Sequence, residues 1–406
     1  MKKIFKNIQL LIEDKKYFFY VIPLIIYINL TLIDTTTTFF VEQLLPYKSV
    51  IKYICVFTIM LKILFCDIKY YTKSNYIKII ILFAIFVTSS IFSGNRAIIQ
   101  YFVIILGSYN LDFNIIAKQV LIWECICVGI IVVLAILKII PNRIFDRSNS
   151  DVKRYSIGFK YATYPALFVW YLTMLYLYVK TNKIKLFEYI LLITINIIMY
   201  IVTNSRNELI FSFLIIFISI VYNKFKMNKT KKIVSYFAKY SIIIFTVISI
   251  LCMVLYNPKN NIWKKMNTLA SGRLRLSNEC MKEYDIKLFG NKMEWIGLSE
   301  IYEGENEESD FFYVDNSYIN ILYNYGVIFL ILVMYSYYYI ITKEIEKENY
   351  FLISILLVII MHSFIDPQLV KIAYNIFILL FVQIIFDKKQ LKKCFNRRNE
   401  VNEQNS

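Results

Sequence analysis

The sequence predicts an all-α polytopic integral membrane protein with about 12 transmembrane helices and one long outer loop. Three observations carry that fold class. Of the 406 residues, 58% are apolar and only 18% are charged, more apolar surface than a water-soluble core would bury. The apolar residues fall in runs of about 15 to 23, the length that crosses a ~30 Å hydrocarbon core. The basic residues behind the formal charge of +17 gather in short clusters between those runs, where they act as topology signals. No zinc-finger, RNA-recognition or helix-turn-helix pattern is present, so no nucleic-acid partner is expected.

Taken in order, residues 1–16 read as a cytoplasmic N-terminus. Lys2, Lys3, Lys6, Lys15 and Lys16 are basic, but Glu13 and Asp14 interrupt the charge and no small-residue cleavage site follows. The first apolar run is therefore expected to remain as a span. Apolar runs closed by charge or turn residues predict helices over 17–33, 49–66, 76–92, 97–109, 119–138, 161–179, 187–203, 208–222, 236–256, 317–341, 351–365 and 369–386. The fourth is short for a full crossing and is either re-entrant or continues through Ile116. The chain thus divides into helices 1–9 over 17–256 with an outer loop at 138–160, a large extracytoplasmic loop at 257–316, helices 10–12 over 317–386, and a basic tail at 387–406. The short loops 180–186 and 223–232 and the tail are strongly basic, which places both termini in the cytoplasm.

The seven cysteines, Cys55, Cys66, Cys125, Cys127, Cys252, Cys280 and Cys394, show no CxxC pair. Only Cys280 falls in the large outer loop, so no disulfide is expected. The arginines say more. The chain carries 37 Lys and nine Arg, so an Arg marks a place where a plain positive charge does not suffice. Arg397 and Arg398 are in the tail; Arg96, Arg143, Arg147, Arg154, Arg206, Arg273 and Arg275 all map to the expected outer face. A guanidinium binds phosphate oxygens bidentately and stays charged. Several Arg on one outer surface suggest a phosphate or pyrophosphate ligand, against a plainer role as solvated loop residues or headgroup anchors.

Arg154 sits in Lys153-Arg154-Tyr155-Ser156-Ile157-Gly158-Phe159, Arg206 in Thr203-Asn204-Ser205-Arg206-Asn207, and Arg273 in Ser271-Gly272-Arg273-Leu274. Further on come Leu288-Phe289-Gly290, then Val314-Asp315-Asn316-Ser317-Tyr318 and Tyr323-Asn324-Tyr325-Gly326. In order, spacing and placement on one face, these elements resemble the Wzy-type polysaccharide polymerases of the O-antigen polymerase and ligase superfamily. The motifs occupy 154–159, 203–206, 271–290 and 314–326. The family often follows its first Arg-Gly-Phe element with Pro-Asn, whereas Ala162-Thr163-Tyr164-Pro165-Ala166 keeps the Pro without the Asn.

The resemblance implies a GT-C-like architecture and a metal-independent, cofactor-free inverting glycosyltransferase of the bacterial cytoplasmic membrane. Its donor and acceptor would be undecaprenyl-pyrophosphate-linked oligosaccharides, joined into O-antigen, capsular or exopolysaccharide chains, with a flippase and a chain-length regulator as partners. Arg154, Arg206 and Arg273 would bind pyrophosphate and stabilise the charge that builds on the leaving group. Asn316 and Tyr318 would assist substrate binding.

For the proton acceptor the sequence offers His362, the single histidine, near the outer end of a span with Asp366 one turn away. Asp315 competes, with helix capping as its plainer role. The acidic run Glu300, Glu303, Glu305, Glu307, Glu308 and Asp310 lacks calcium-loop spacing, and no metal site is assigned. Trp263, Trp295, Tyr302, Phe311, Phe312 and Tyr313 suit either sugar stacking or the membrane interface. Two rival functions remain: an O-antigen-ligase-like transfer to another acceptor, from which the absence of a loop His argues away, and a flippase or transporter, which should show paired halves. A structural protein of the same assembly would need no clustered Arg.

Overall fold

The computed structural model describes residues 15–37, 39–147, 150–224, 228–297 and 311–386. Among them, eight helices are long and apolar enough to cross a membrane, and the chain is an α-helical polytopic membrane protein. In chain order the elements are α1 (Lys16–Ile33), α2 (Phe39–Lys62), α3 (Lys73–Ser93), α4 (Ala97–Gly107), α5 (Phe113–Ile136), a hairpin of β1 (Ile144–Arg147) and β2 (Ser150–Tyr155), then α6 (Thr163–Lys180), α7 (Leu186–Thr203), α8 (Arg206–Lys224) and α9 (Asn228–Leu255). Two short helices, α10 (Asn261–Leu269) and α11 (Arg273–Glu283), precede α12 (Ser317–Glu346), α13 (Tyr350–His362) and a 3-10 helix, Ile376–Ile384.

Local chemistry sets the helix starts. Thr72, Asp112 and Asn316 each accept a backbone N–H of the first turn of α3, α5 and α12, satisfying donors that have no partner within the helix. Packing then sorts the helices. Ile80, Ile91, Ile136 and Ile201 are 66 to 70% exposed, a surface only lipid tolerates at this density, whereas residues 355–360 of α13 are all buried. The core therefore runs along α12 and α13, with α6, α8 and α9 packed around them.

One expectation needs correction, and two others gain detail. The run at 369–386 is not an α-helix: the chain makes turns as far as Asn375, whose extended backbone (φ −152°) starts the 3-10 helix. Burial of this segment on nearly every side lets tertiary packing override helix propensity. The outer loop 138–160 contains the antiparallel hairpin, with Phe145 opposite Arg154 and a register shift at Asp146 and Arg147. The run at 97–109 becomes α4, whose 11 residues measure about 16 Å, half of a hydrocarbon core.

Two contacts organise the bundle. Lys62 and Asp67 are both fully buried at the end of α2, which continues through a π-helical turn, Ile63–Asp67. Lys62 Nζ donates to Asp67 Oδ2 (2.6 Å) and to the carbonyls of Gly107 (2.9 Å) and Tyr109 (2.6 Å). The second contact is a glycine seam. Helix α12 breaks at Gly326 (φ 88°, ψ 173°), and the strand of loop around Gly290 lies across the break. Val327 N and Ile328 N donate to Lys287 O and Leu288 O, and Asn291 N donates to Tyr323 O. Two motifs far apart in sequence thus meet backbone to backbone.

Candidate functional site

Arg154 is the last but one residue of β2. Its Nε donates to the Thr203 carbonyl at 2.8 Å, and Nη1 lies 3.3 Å from the Tyr161 hydroxyl, with the guanidinium over the Tyr161 ring at 5.4 Å. Thr203 ends α7, so this carbonyl has no intrahelical partner and sits at the negative pole of the helix dipole. The hairpin, Tyr161 and the end of α7 together hold Arg154 in place. Of the five N–H donors of a guanidinium, three remain for a ligand.

Arg273 opens α11, after Gly272 in the left-handed region (φ 86°) that glycine favours. Its Nε pairs with Asp315 Oδ2 at 2.9 Å, and Nη1 donates to the Ala270 carbonyl at 3.4 Å. The other guanidinium donors are not consumed by the counter-ion. A small cavity opens beside Arg273, lined also by Ser249, Ser277, Asn316 and Phe364.

The acids come from three further segments. Glu208, buried in the first turn of α8, lies within electrostatic reach of Arg154, Arg273 and Asp315. Burial pushes the Asp315 carboxyl above the usual range, against the pull of Arg273 and Lys371. Burial pushes Asp366 well above it, reinforced by Glu208 and Asp315 and opposed by Lys371 and Arg273. Hydrogen bonds fix this meeting: Asn316 Nδ2 donates to Phe364 O (3.0 Å), Ser317 N to Ser363 O (2.9 Å), and Ser317 Oγ to Asp366 O. The loop after α13 is thereby sewn to the start of α12. Among the described residues, these acids are not gathered closely enough to hold a metal ion as a group of three.

Of the residues singled out from sequence, Arg154, Arg273 and Asp315 join this cluster. His362 lies beside it, 3% exposed, its ring stacked on Trp170 at 4.1 Å and met edge-on by Phe211 at 5.0 Å. Its Nε2 is buried without a partner. Arg206 is exposed at the start of α8. The capping role belongs to Asn316, which accepts Tyr318 N and Ile319 N, and Tyr318 is buried with its hydroxyl donated to Ile360 O at 2.6 Å. Arg275 pairs with Glu279. The aromatics Trp295 and Phe312 stack on each other at 5.6 Å, while the acidic run and Tyr302 lie outside the described residues.

Sequence reasoning passed over Glu208 and Lys371 and treated Asp366 only as a neighbour of His362. The available signal for Glu208 was its place two residues beyond Arg206 in the tight turn, but an acid in a first helical turn also reads as a complement to the dipole. What the cluster can do chemically is clear from its parts: two rigid guanidinium groups with spare donors, backed by the buried Glu208 and the partly buried Asp315 and Asp366, suit a di-anionic phosphate or pyrophosphate. No family model matches the chain, and neither a curated protein nor a solved structure does.

Proposed function

We propose that this chain is a Wzy-type polysaccharide polymerase. It joins undecaprenyl-pyrophosphate-linked repeat units into O-antigen, capsular or exopolysaccharide chains at the outer face of the bacterial cytoplasmic membrane, by inverting glycosyl transfer. The observation that carries this reading is that Arg154, from β2, and Arg273, from α11, both lie within electrostatic reach of one buried carboxylate, Glu208, with Asp315 paired to Arg273 at 2.9 Å. Guanidinium groups held by a helix-end carbonyl and by a carboxylate are preplaced for charge that builds on a departing pyrophosphate.

The architecture supports the same reading. On this reading the eight long helices and the shorter α4, α6, α13 and 3-10 helix are taken as twelve passes, α4 being short for one, and an even number returns both termini to the cytoplasmic side. The cluster then falls on the outer side, at the ends of α7 and α13 and the starts of α8 and α12.

The test is reconstitution of the purified protein with the authentic lipid-linked repeat unit, with products resolved by size. A ladder is expected from the wild type. Arg273→Lys keeps the charge and loses the fork, and should slow ladder formation about 10²–10³-fold. Unchanged monomer from the wild type refutes polymerisation; appearance of the substrate on the opposite leaflet would identify transport instead, and transfer to a non-glycan acceptor would identify a ligase.

A further inference from the structure

We propose that Asp366 is the proton acceptor of this transfer, taking the proton from the acceptor sugar hydroxyl as that oxygen attacks. The inference rests on the polymerase reading and adds to it the group that does the acid–base work. In the step, the acceptor oxygen forms a bond to the anomeric carbon of the donor, and its proton passes to the Asp366 carboxylate. The anomeric carbon–oxygen bond to pyrophosphate breaks, and the electron pair leaves with the polyprenyl pyrophosphate, beside Arg154 and Arg273.

The neighbouring candidates are occupied. Asp315 is committed to Arg273 at 2.9 Å. Glu208 is buried and counters both Arg154 and Arg273. His362 also carries a buried unpartnered nitrogen, but its ring is stacked on Trp170, met edge-on by Phe211 and only 3% exposed, whereas Asp366 is partly exposed. Its backbone carbonyl is fixed by Ser317 Oγ, which in turn accepts Leu369 N at 3.2 Å, and the preceding Phe364 carbonyl is held by Asn316. The side chain is left over: Oδ1 is buried and has no hydrogen-bond partner. An acceptor atom positioned by its backbone, shielded from water and unsatisfied is a place for a donor to arrive, and the donor this reaction supplies is a hydroxyl.

The titratable and charged groups within electrostatic reach of Asp366 are Glu208 on α8, Asp315 before α12, Arg273 on α11, and Lys371 and Tyr374 on the segment that follows it. Burial and the two acids raise its proton affinity, while the two cations keep it within range of ionisation. Donor binding, which adds negative charge, strengthens it further as a base.

The experiment measures initial rates of ladder formation from about pH 6 to about pH 9 for wild type, Asp366→Asn and Asp366→Glu. Wild type should show a rate that climbs with pH to a plateau. Asp366→Asn should lose about 10²–10⁴-fold in kcat and lose the climb, with donor KM kept and no loss of thermal stability. Asp366→Glu should restore part of the rate with a displaced pH limb. A wild-type rate and limb in Asp366→Asn overturn the assignment. So does a variant whose KM and stability fall while its residual activity keeps the wild-type limb, since that is the signature of a structural role. No ladder from wild type would instead overturn the polymerase reading itself.

Discussion

Replacing Gly290 by Ala should open the seam between the outer loop and α12. Gly290 has φ 92°, and a Cβ there would stand 2.0 Å from the Asn324 carbonyl oxygen and 2.8 Å from the Tyr325 carbonyl carbon. Both obstacles are backbone, which cannot swing aside as a side chain can. The left-handed conformation costs an L-residue about 1–2 kcal/mol, and overpacking adds about 1–3 kcal/mol. If the strands part, the bonds from Val327 N, Ile328 N and Asn291 N across the break weaken at about 1 kcal/mol each. Strain and overpacking alone make about 2–5 kcal/mol, or about 4–10 °C in Tm at about 2 °C per kcal/mol for a large chain, and the weakened bonds add to it. Gly326→Ala meets the mirror-image problem, 2.3 Å from Leu288 O. Because both variants strain one seam, the double variant should cost less than the sum. Thermal unfolding in detergent, followed by tryptophan fluorescence, gives all three values. An unchanged Tm for Gly290→Ala, or strict additivity in the double variant, would refute the close backbone contact.

Lys62→Met should destabilise by about 3–5 kcal/mol, because it leaves Asp67 charged and buried; Lys62→Met with Asp67→Leu should recover most of the loss, and a double variant no better than the single one would contradict the pair. Stability should also respond to pH in a direction set by Asp315 and Asp366. A carboxyl raised in the folded state stabilises fully below its unfolded value near pH 4, and that stabilisation is lost as pH rises through the folded value. Wild-type Tm should thus fall on moving from about pH 5 to about pH 8, and Asp366→Asn should fall less. Parallel Tm–pH curves for the two proteins would show that Asp366 is not the source.

What the sequence makes legible depends on which force shapes each element. Where a helix faces lipid, apolar run and helix coincide: the run 187–203 becomes Leu186–Thr203 and 76–92 becomes Lys73–Ser93. Where a segment is enclosed by protein, the run length no longer dictates its form, and Ile376–Ile384 winds as a 3-10 helix that hydropathy reads as an ordinary span. The hairpin is illegible because its short strands, Ile-Phe-Asp-Arg and Ser-Asp-Val-Lys-Arg-Tyr, carry charges on a surface and show no apolar alternation. At the site, the scarcity of Arg points to Arg154 and Arg273. Glu208, Asp366 and Lys371 have common neighbours and common residue types, and only the stitching of the loop after α13 to α12 gathers them. Arg206 shows the limit of reasoning from residue type: it shares its turn with Glu208 yet is exposed.

The buried Lys62 bears on how the chain is made. Its carbonyl partners, Gly107 and Tyr109, emerge from the ribosome some 45 residues after it. Until they arrive, Asp67 is its only internal counter-ion, and the long stem must hold the ammonium toward the headgroup region. Helix α2 therefore enters the membrane with its Lys62 end unsettled, and settles only after α4 has turned back to meet it. The first four helices settle together, and a ribosome stalled before residue 107 leaves a half-inserted chain with its lysine still in reach of a water-borne acylating reagent.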